Sequence, residues 1–596
     1  MCTRSGLRPP VRRMCAPSLG WAKHECRCGG TGVCGNDIAV SDVTAQRPWI
    51  SRYQAGQPAE LLLEHGNALE MFRASVSRAA DQPLIHYFGT TLTLREVDEM
   101  SDALASAFYD LGLRRGDRVA IYLQNQPQFF LTVLATWKVG GIVVSCNPML
   151  KEKELRQQLQ DSGARVLVAL ETLYAEVASF VLPTTDVRAV ITTSELDFVR
   201  GETPRILRGV DRRRPRETED LLELVRASRG ARPQPVVLRP DDVAFLTYTS
   251  GTTGPAKGAM NTHGNVVFSA QGYREWFKLS SDDVILGISP LFHITGIVAH
   301  IAVAALLPAR VVLGCRFDPI ETTRIVELHR PTFTVAAITV FVALLQSAEA
   351  RAGDWSSLRK IASGGAPVQP AVVRDWEEIT GNYIHHVYGM TETTSLSHAT
   401  PFGSKAPVDP TTGALSVGVP FFNTVVRVVD EDGNELPAGE VGELLTDGPQ
   451  VVPGYWRRPE ETAHAMPDGR LRTGDLGFMD GEGWFYVVDR LKDMIIASGY
   501  KVWPRDVEEV LLQHPAVADA AVIGLPDEYR GETVKAFVVL TAGEQVEERE
   551  LITFAKNRMS AYKYPREIEI LDEIPKSGTG KVLRRQLRER PVVATS

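Results

Sequence analysis

The sequence predicts an α/β protein. A large N-terminal body rests on mostly parallel sheet and ends in a small β-rich portion, and a small α+β C-terminal domain follows. Three observations predict this. Strand-like and helix-like runs alternate through the first part of the chain, between residues 413 and 484 the texture changes to short strands and tight turns, and a further α/β unit closes the sequence. With 596 residues the chain exceeds what one hydrophobic core supports, so two or more domains are expected.

The first element in order is a leader, residues 1–45, expected to be disordered or spurious. It holds five of the seven cysteines, Cys2, Cys15, Cys26, Cys28 and Cys34. A metal site in "HECRCGGTGVC" stays open, although that spacing lacks the paired C-x2-C of common zinc sites. The leader has no continuous apolar run of the kind a secretory signal needs. Only Cys146 and Cys315 lie in the remaining body, which reads as a protein of a reducing compartment, expected to be cytoplasmic.

Residues 91–112 read as an amphipathic helix, with Leu94, Val97, Met100, Leu104 and Phe108 at helical spacing. "DRVAIYL" reads as a strand, "PQFFLTVLATWKVG" as a helix, and "IVVSCN", "RVLVAL" and "AVITT" as further strands. Residues 202–235, polar and broken by proline, read as a surface excursion. The longest apolar stretch, residues 296–314, is interrupted by His300, Pro308 and Arg310, so it reads as a buried helix, a proline stop and a strand rather than a membrane span. "TVVRVVD" and "GELLTDG" are the short strands of the β-rich portion. "DVEEVLLQHP", "VADAAVIGLP" and "KAFVVL" make up the closing unit, with a helix near "ELITFAKNRM". The expected domains are 46–490 and 491–596, with the break at "DRLKD". A net charge of -8 gives no reason to expect nucleic acid as a partner.

The stretch "TSGTTGPAKG", residues 249–258, carries the strongest local signal. Its glycines allow close backbone approach, and amides, hydroxyls and an ammonium make an anion cradle. It is not a Walker A loop, because counting from Gly251 puts Ala256 where the second glycine belongs and Gly258 after Lys257. Such a run also suits a linker, but a strand-like segment precedes it and a helical one follows.

Downstream come "SGGAP", "YGMTE", "RTGDL", "DRLKD" and "PKSGTGK", in that order. Together with the loop they resemble the adenylate-forming superfamily of acyl-CoA synthetases, luciferases and peptide-synthetase adenylation domains, over residues 60 to 590. The resemblance implies an adenylate-forming N-terminal AMP-binding domain and a mobile C-terminal one, and ATP, Mg²⁺ and coenzyme A as its small molecules. It implies that Thr249, Ser250, Gly251, Thr252, Thr253, Gly254 and Lys257 grip phosphate. Gly364, Gly365, Ala366 and Gly389 would border adenine, with Tyr388 stacked on it. Thr391 would contact the α-phosphate and Glu392 would hold the metal. Asp475 would accept from the ribose hydroxyls with Arg490 near it, although alone they read as a turn cap and a surface ion pair. His293 would stand beside the reacting carboxylate, and Lys581 would swing in during adenylation. Lys492 would be the hinge, and Ser498, Gly499 and Tyr500 would face the coenzyme A tunnel.

Within the superfamily, "SPLFHITGIVAHIAVAA" has no acid to pair a substrate ammonium, which argues against amino acids. The acyl pocket is expected from His293, Gly296, Ile297, Ile338, Gly365 and Met390. This implies an ATP-dependent acid–CoA ligase for a medium- or long-chain fatty acid. An aryl acid, transfer to a carrier protein, and a nucleotide-binding relative without activity are the alternatives. Peripheral membrane contact and a homodimer stay open.

Overall fold

The computed structural model describes residues 47–249, 256–490, 493–497, 500–527, 531–559, 562–577 and 581–590. The leader, residues 250–254 and the hinge position Lys492 lie outside the described residues, as do Ser498 and Gly499.

The described strands form four sheets. A seven-stranded sheet runs in the order Glu219–Asp220, Ala189–Thr193, Val166–Leu170, Arg118–Tyr122, Ile142–Ser145, Val243–Tyr248, Gly258–Thr262. Its strands pair in parallel except for the last two, which form a hairpin around the glycine-rich loop. A nine-stranded sheet has parallel neighbours from Ile384–Tyr388 through Lys360–Gly364, Phe333–Ala337, Val284–Gly287 and Arg310–Leu313 to Pro83–Tyr87. Parallel strands need helical crossovers, and the helices bury the sheet faces. All of Pro127–Lys138 is buried, and one continuous apolar cluster draws on Val119, Val143 and Phe245 from one sheet and on Ile285, Val311 and Phe333 from the other. Lys138 is tolerated in that helix because its ammonium pairs with Asp98 and Asp102, each at 2.6 Å.

Local chemistry corrects one of the expectations and adds detail to another. The segment expected as one helix begins with a strand, Thr90–Thr93, and the helix is Leu94–Asp110. The boundary falls at Thr93, whose hydroxyl accepts from the Glu96 N–H while Glu96 accepts from the Thr93 N–H. The surface excursion is partly ordered, with strand Glu219–Asp220 on the sheet edge and helix Leu221–Ala227 capped by Asp220. The apolar stretch divides as its residues predict. A π-helical turn, Gly296–Ala302, runs into helix Val303–Leu306, and strand Arg310–Leu313 follows Pro308. No helix among the described residues is long and apolar enough to cross a membrane.

The β-rich portion is a four-stranded antiparallel sheet of Val425–Val429, Gly442–Asp447, Leu471–Met479 and Phe485–Arg490. Beyond it a separate sheet holds Tyr500–Val502, Ile495–Ala497, Gly531–Leu540 and Val517–Asp527, with Glu567–Ile570 beside Gly531–Leu540. Helices Pro504–Leu512 and Glu548–Lys556 supply Val507, Leu511, Leu551 and Ala555 to this sheet's own apolar cluster. Arg505 reaches from it to the β-rich portion, donating to the Val487 carbonyl at 2.6 Å.

Candidate active site

A cavity of about 550 Å³ opens where five neighbouring parallel strands of the nine-stranded sheet end. The strand Val284–Gly287 delivers Ser289 and Pro290, and Phe333–Ala337 delivers Ala337. Lys360–Gly364 supplies Gly364 and Gly365, Ile384–Tyr388 leads to Gly389 and Met390, and Arg310–Leu313 leads to Cys315 and Phe317. Ligands of parallel α/β sheets collect at the carboxyl ends of the strands, because the loops there are free to vary while the sheet holds them in place.

Small residues make the space. A Cβ on Gly364 would lie 2.2 Å from the Val387 carbonyl oxygen, and one on Gly389 would lie 1.6 Å from that of Ser395. Gly365 has φ +81° with no atom within 4 Å of a Cβ, so its requirement is conformational. His293 lines the wall half-buried, and burial pushes its pKa down to about 4. At neutral pH the ring is uncharged.

Three residues expected in the wall are elsewhere. Gly296 packs against backbone, its Cβ position 2.1 Å from the Pro290 carbonyl oxygen, so it permits close packing behind the wall and adds no depth. Ile297 is fully buried in the main core. Ile338 turns into a second cluster with Phe341 and Leu344. The helix it begins presents Thr339 and Val340 to the cavity, since each helical step rotates the side chain by about 100°. Sequence reasoning missed Gln124, Asn125 and Asn147 at the polar side of the cavity. Asn125 is held by donating to the Gly287 and Ser289 carbonyls and accepting from the Leu291 N–H.

The segment 388–392 leads from the cavity to a polar cluster. The Tyr388 hydroxyl donates to Asp475 Oδ2 at 2.7 Å, and Asp475 is only 3% exposed. Asp475 lies opposite Arg490 in the antiparallel register. Thr391 is buried, its carbonyl accepting from Asn261 Nδ2 at 3.0 Å. Glu392 accepts from the Tyr455 hydroxyl at 2.7 Å, and the Lys257 ammonium stands 5.2 Å from the centre of the Tyr455 ring. Burial, and after it the Glu392 carboxylate, push the Tyr455 phenol well up, so it stays a donor. The ends of the glycine-rich loop are pinned by the Thr249 N–H donating to the Lys257 carbonyl at 3.0 Å.

Lys257 and Glu392 therefore meet through Tyr455, and the segment that carries Glu392 also carries Tyr388 to Asp475. Ala366 packs against the second apolar cluster. Lys581 is half-buried, its N–H donating to Ser577 Oγ at 3.2 Å, and it does not line the cavity. Tyr500 pairs with Ala497 in the C-terminal sheet.

An apolar cavity with one neutral histidine, joined to a cluster of acidic and basic side chains beside the strands Val243–Tyr248 and Gly258–Thr262, has the make-up of a binding site for a ligand with an apolar part and a polar part. The model of the AMP-binding enzyme family matches residues 72–456, and that of the AMP-binding enzyme C-terminal domain matches residues 506–581. A long-chain-fatty-acid–CoA ligase of Bacillus subtilis (strain 168) is 36% identical over 559 residues, 91% of this chain and 98% of that protein. Among solved structures, the anthranilate CoA ligase AuaEII in complex with anthranoyl-AMP superposes with a TM-score of 0.77 at 27% identity, covering 89% of this chain and 97% of its own. ATP-bound MatB from Rhodopseudomonas palustris gives 0.76 at 27% identity, covering 88% and 98%. The chain belongs to the AMP-binding enzyme family.

Proposed function

We propose that the protein is an AMP-forming acid–CoA ligase for medium- or long-chain fatty acids, working through an acyl-AMP intermediate. The observation that carries the reading is the continuity of the apolar cavity with the Tyr388–Glu392 segment. An acid seated there puts its carboxylate beside the phosphates of a nucleotide held by the polar cluster. The long-chain-fatty-acid–CoA ligase relative supports the choice of acid.

A carboxylate is a poor electrophile, since its charge repels a nucleophile and oxide would have to leave. Attack of one carboxylate oxygen on the α-phosphorus of ATP forms an acyl–AMP anhydride and expels pyrophosphate. The coenzyme A thiolate then attacks the acyl carbon and AMP leaves with the bonding electrons. The protein's contribution is placement and neutralisation of charge. Neutral His293 can donate a hydrogen bond to the carboxylate without forming an ion pair that would quench its nucleophilicity. Lys257 and the loop hold the phosphates that depart. Asp475, fixed by Tyr388, accepts from the ribose. Glu392 suits Mg²⁺: it is a half-exposed hard oxygen donor, and magnesium takes one or two protein carboxylates while phosphate and water fill the rest. When bound, the ion would neutralise phosphate charge. The domains 46–490 and 491–596, turning about Lys492, would let Lys581 serve the first half-reaction and withdraw for the second, when Ser498, Gly499 and Tyr500 face coenzyme A. The thiols of Cys146 and Cys315 are free and buried, and burial pushes their pKa values up to about 12.

ATP–pyrophosphate exchange with a panel of fatty, aryl and amino acids, with and without coenzyme A, tests the assignment. Exchange should depend on a fatty acid, and rapid AMP release should require coenzyme A. Lys581→Ala should lower exchange by about 100-fold or more, as when a donor to developing charge is removed. Undiminished exchange in that variant would remove Lys581 from the mechanism. Exchange driven best by an aryl acid would redirect the substrate assignment.

A further inference from the structure

We propose that Tyr455 is a positioning residue for the metal–nucleotide complex, coupling the phosphate-loop lysine to the carboxylate that receives Mg²⁺. The inference rests on the reading of Glu392 and Lys257 above and adds a residue that none of the sequence motifs contains.

Tyr455 touches both groups at once. Its hydroxyl donates to Glu392 Oε1 at 2.7 Å, and its ring faces the Lys257 ammonium at 5.2 Å. The backbone around it is built as a clip. The Met260 N–H donates to the Gly454 carbonyl at 3.0 Å and the Trp456 N–H to the Gly258 carbonyl at 2.8 Å, so residues 454–456 run beside the strand that leaves the glycine-rich loop. On the other side the Val452 N–H donates to the Glu392 carbonyl at 2.9 Å. One short segment thus fixes the loop exit and the metal carboxylate in one frame. The ring is 8% exposed and packs with Ala259, Val452, Met466 and Leu471, which leaves it little rotational freedom.

This arrangement has a chemical consequence. With one carboxylate oxygen engaged by the phenol, Glu392 is oriented before metal arrives, and its other oxygen is the one left for coordination. Partners of this kind, which orient a ligand without touching the metal, commonly change metal affinity by about 10- to 100-fold. The ring in turn holds the lysine by cation–π attraction, which keeps the ammonium placed beside the loop ends for a phosphate to meet. Tyr455 therefore acts through two other residues, Glu392 and Lys257.

Calorimetric titration of the full-length protein with ATP, in the presence and absence of Mg²⁺, separates the two arms. Tyr455→Phe keeps the ring and removes the hydroxyl. It should bind ATP without metal as wild type does, within about twofold, and bind Mg·ATP about tenfold more weakly. Tyr455→Leu should also weaken metal-free ATP binding, since Lys257 loses its aromatic support. Equal Mg·ATP affinity in Tyr455→Phe and wild type would overturn the proposal, as would an equal loss with and without metal, which is the signature of a packing defect. The readout needs no acid. A wild-type protein that binds Mg·ATP but catalyses no acid-dependent exchange would defeat the ligase assignment while leaving this inference to be decided by the titrations.

Discussion

Asp475 shows what a single buried carboxylate contributes. It is 3% exposed, receives the Tyr388 hydroxyl at 2.7 Å, and sits opposite Arg490 across the strand pair. If it accepts ribose hydroxyls, the contact exists equally in bound ATP and in the transition state, because the ribose is remote from the reacting phosphorus. Loss of such uniform binding raises KM and leaves kcat nearly unchanged. Asp475→Asn, isosteric and able to keep the Tyr388 contact, should raise the KM for ATP about tenfold in the exchange assay, a hydrogen bond to a charged group being worth about 1.5 kcal/mol. A fall in kcat with KM unmoved would place Asp475 near the reacting centre instead. Asp475 was singled out in the sequence as a ribose acceptor because "RTGDL" belongs to an ordered series of motifs. Tyr455 was not: "VVPGYWRRPE" offers an ordinary aromatic, and its meaning arises from a contact with Glu392 across 63 positions.

Adjacent glycines at the end of strand Lys360–Gly364 separate two uses of the same residue at the level of the element. Gly364 is needed because the neighbouring strand is close, a Cβ falling 2.2 Å from the Val387 oxygen. Gly365 is needed because its φ is +81°, with open space around it. Gly364→Ala must therefore force the strands apart at the cavity wall they share, which should cost about 3 kcal/mol in urea denaturation and most of the exchange activity. Gly365→Ala meets no atom and should cost about 1 kcal/mol, the price of a left-handed backbone for a residue with a Cβ. Equal losses would show that the wall relaxes freely. In the seven-stranded sheet a strand was readable where it is buried on both faces, as in "RVLVAL", since a continuous apolar run bounded by polar loops has few other solutions. The start of the helix at Leu94 was misread because the threonines before it fit a helical pattern by polarity, while the Thr93–Glu96 reciprocal cap assigns them to a strand. The acyl wall was misread at Gly296, Ile297 and Ile338 because composition shows that a segment is apolar but not which face it turns to the cavity.

Across the whole molecule the buried histidines set the response to acid. His263, His385 and His386 have pKa values pushed down to about 4, and His300 and His398 to about 3, in each case first by burial. All are under 5% exposed and spread through the core of the two large sheets. Above pH 6.5 these rings are neutral in both folded and unfolded chains, so they add no pH dependence. As pH falls below that, the unfolded chain takes up protons that the folded chain refuses, and each histidine removes up to about 1.4 kcal/mol per pH unit until its folded pKa is reached. Stability should hold from pH 8 to 7 and then fall steeply between about pH 6 and 4. His398 isolates the effect. Its ring lies 4.9 Å from Phe485 and 5.4 Å from Tyr388, so His398→Phe keeps an aromatic in the site and removes the titration. Urea midpoints measured at pH 7, 6 and 5 should decline less steeply in the variant than in wild type, whatever its stability at pH 7. Parallel declines would mean that His398 gains a proton acceptor in the folded protein and that acid acts elsewhere.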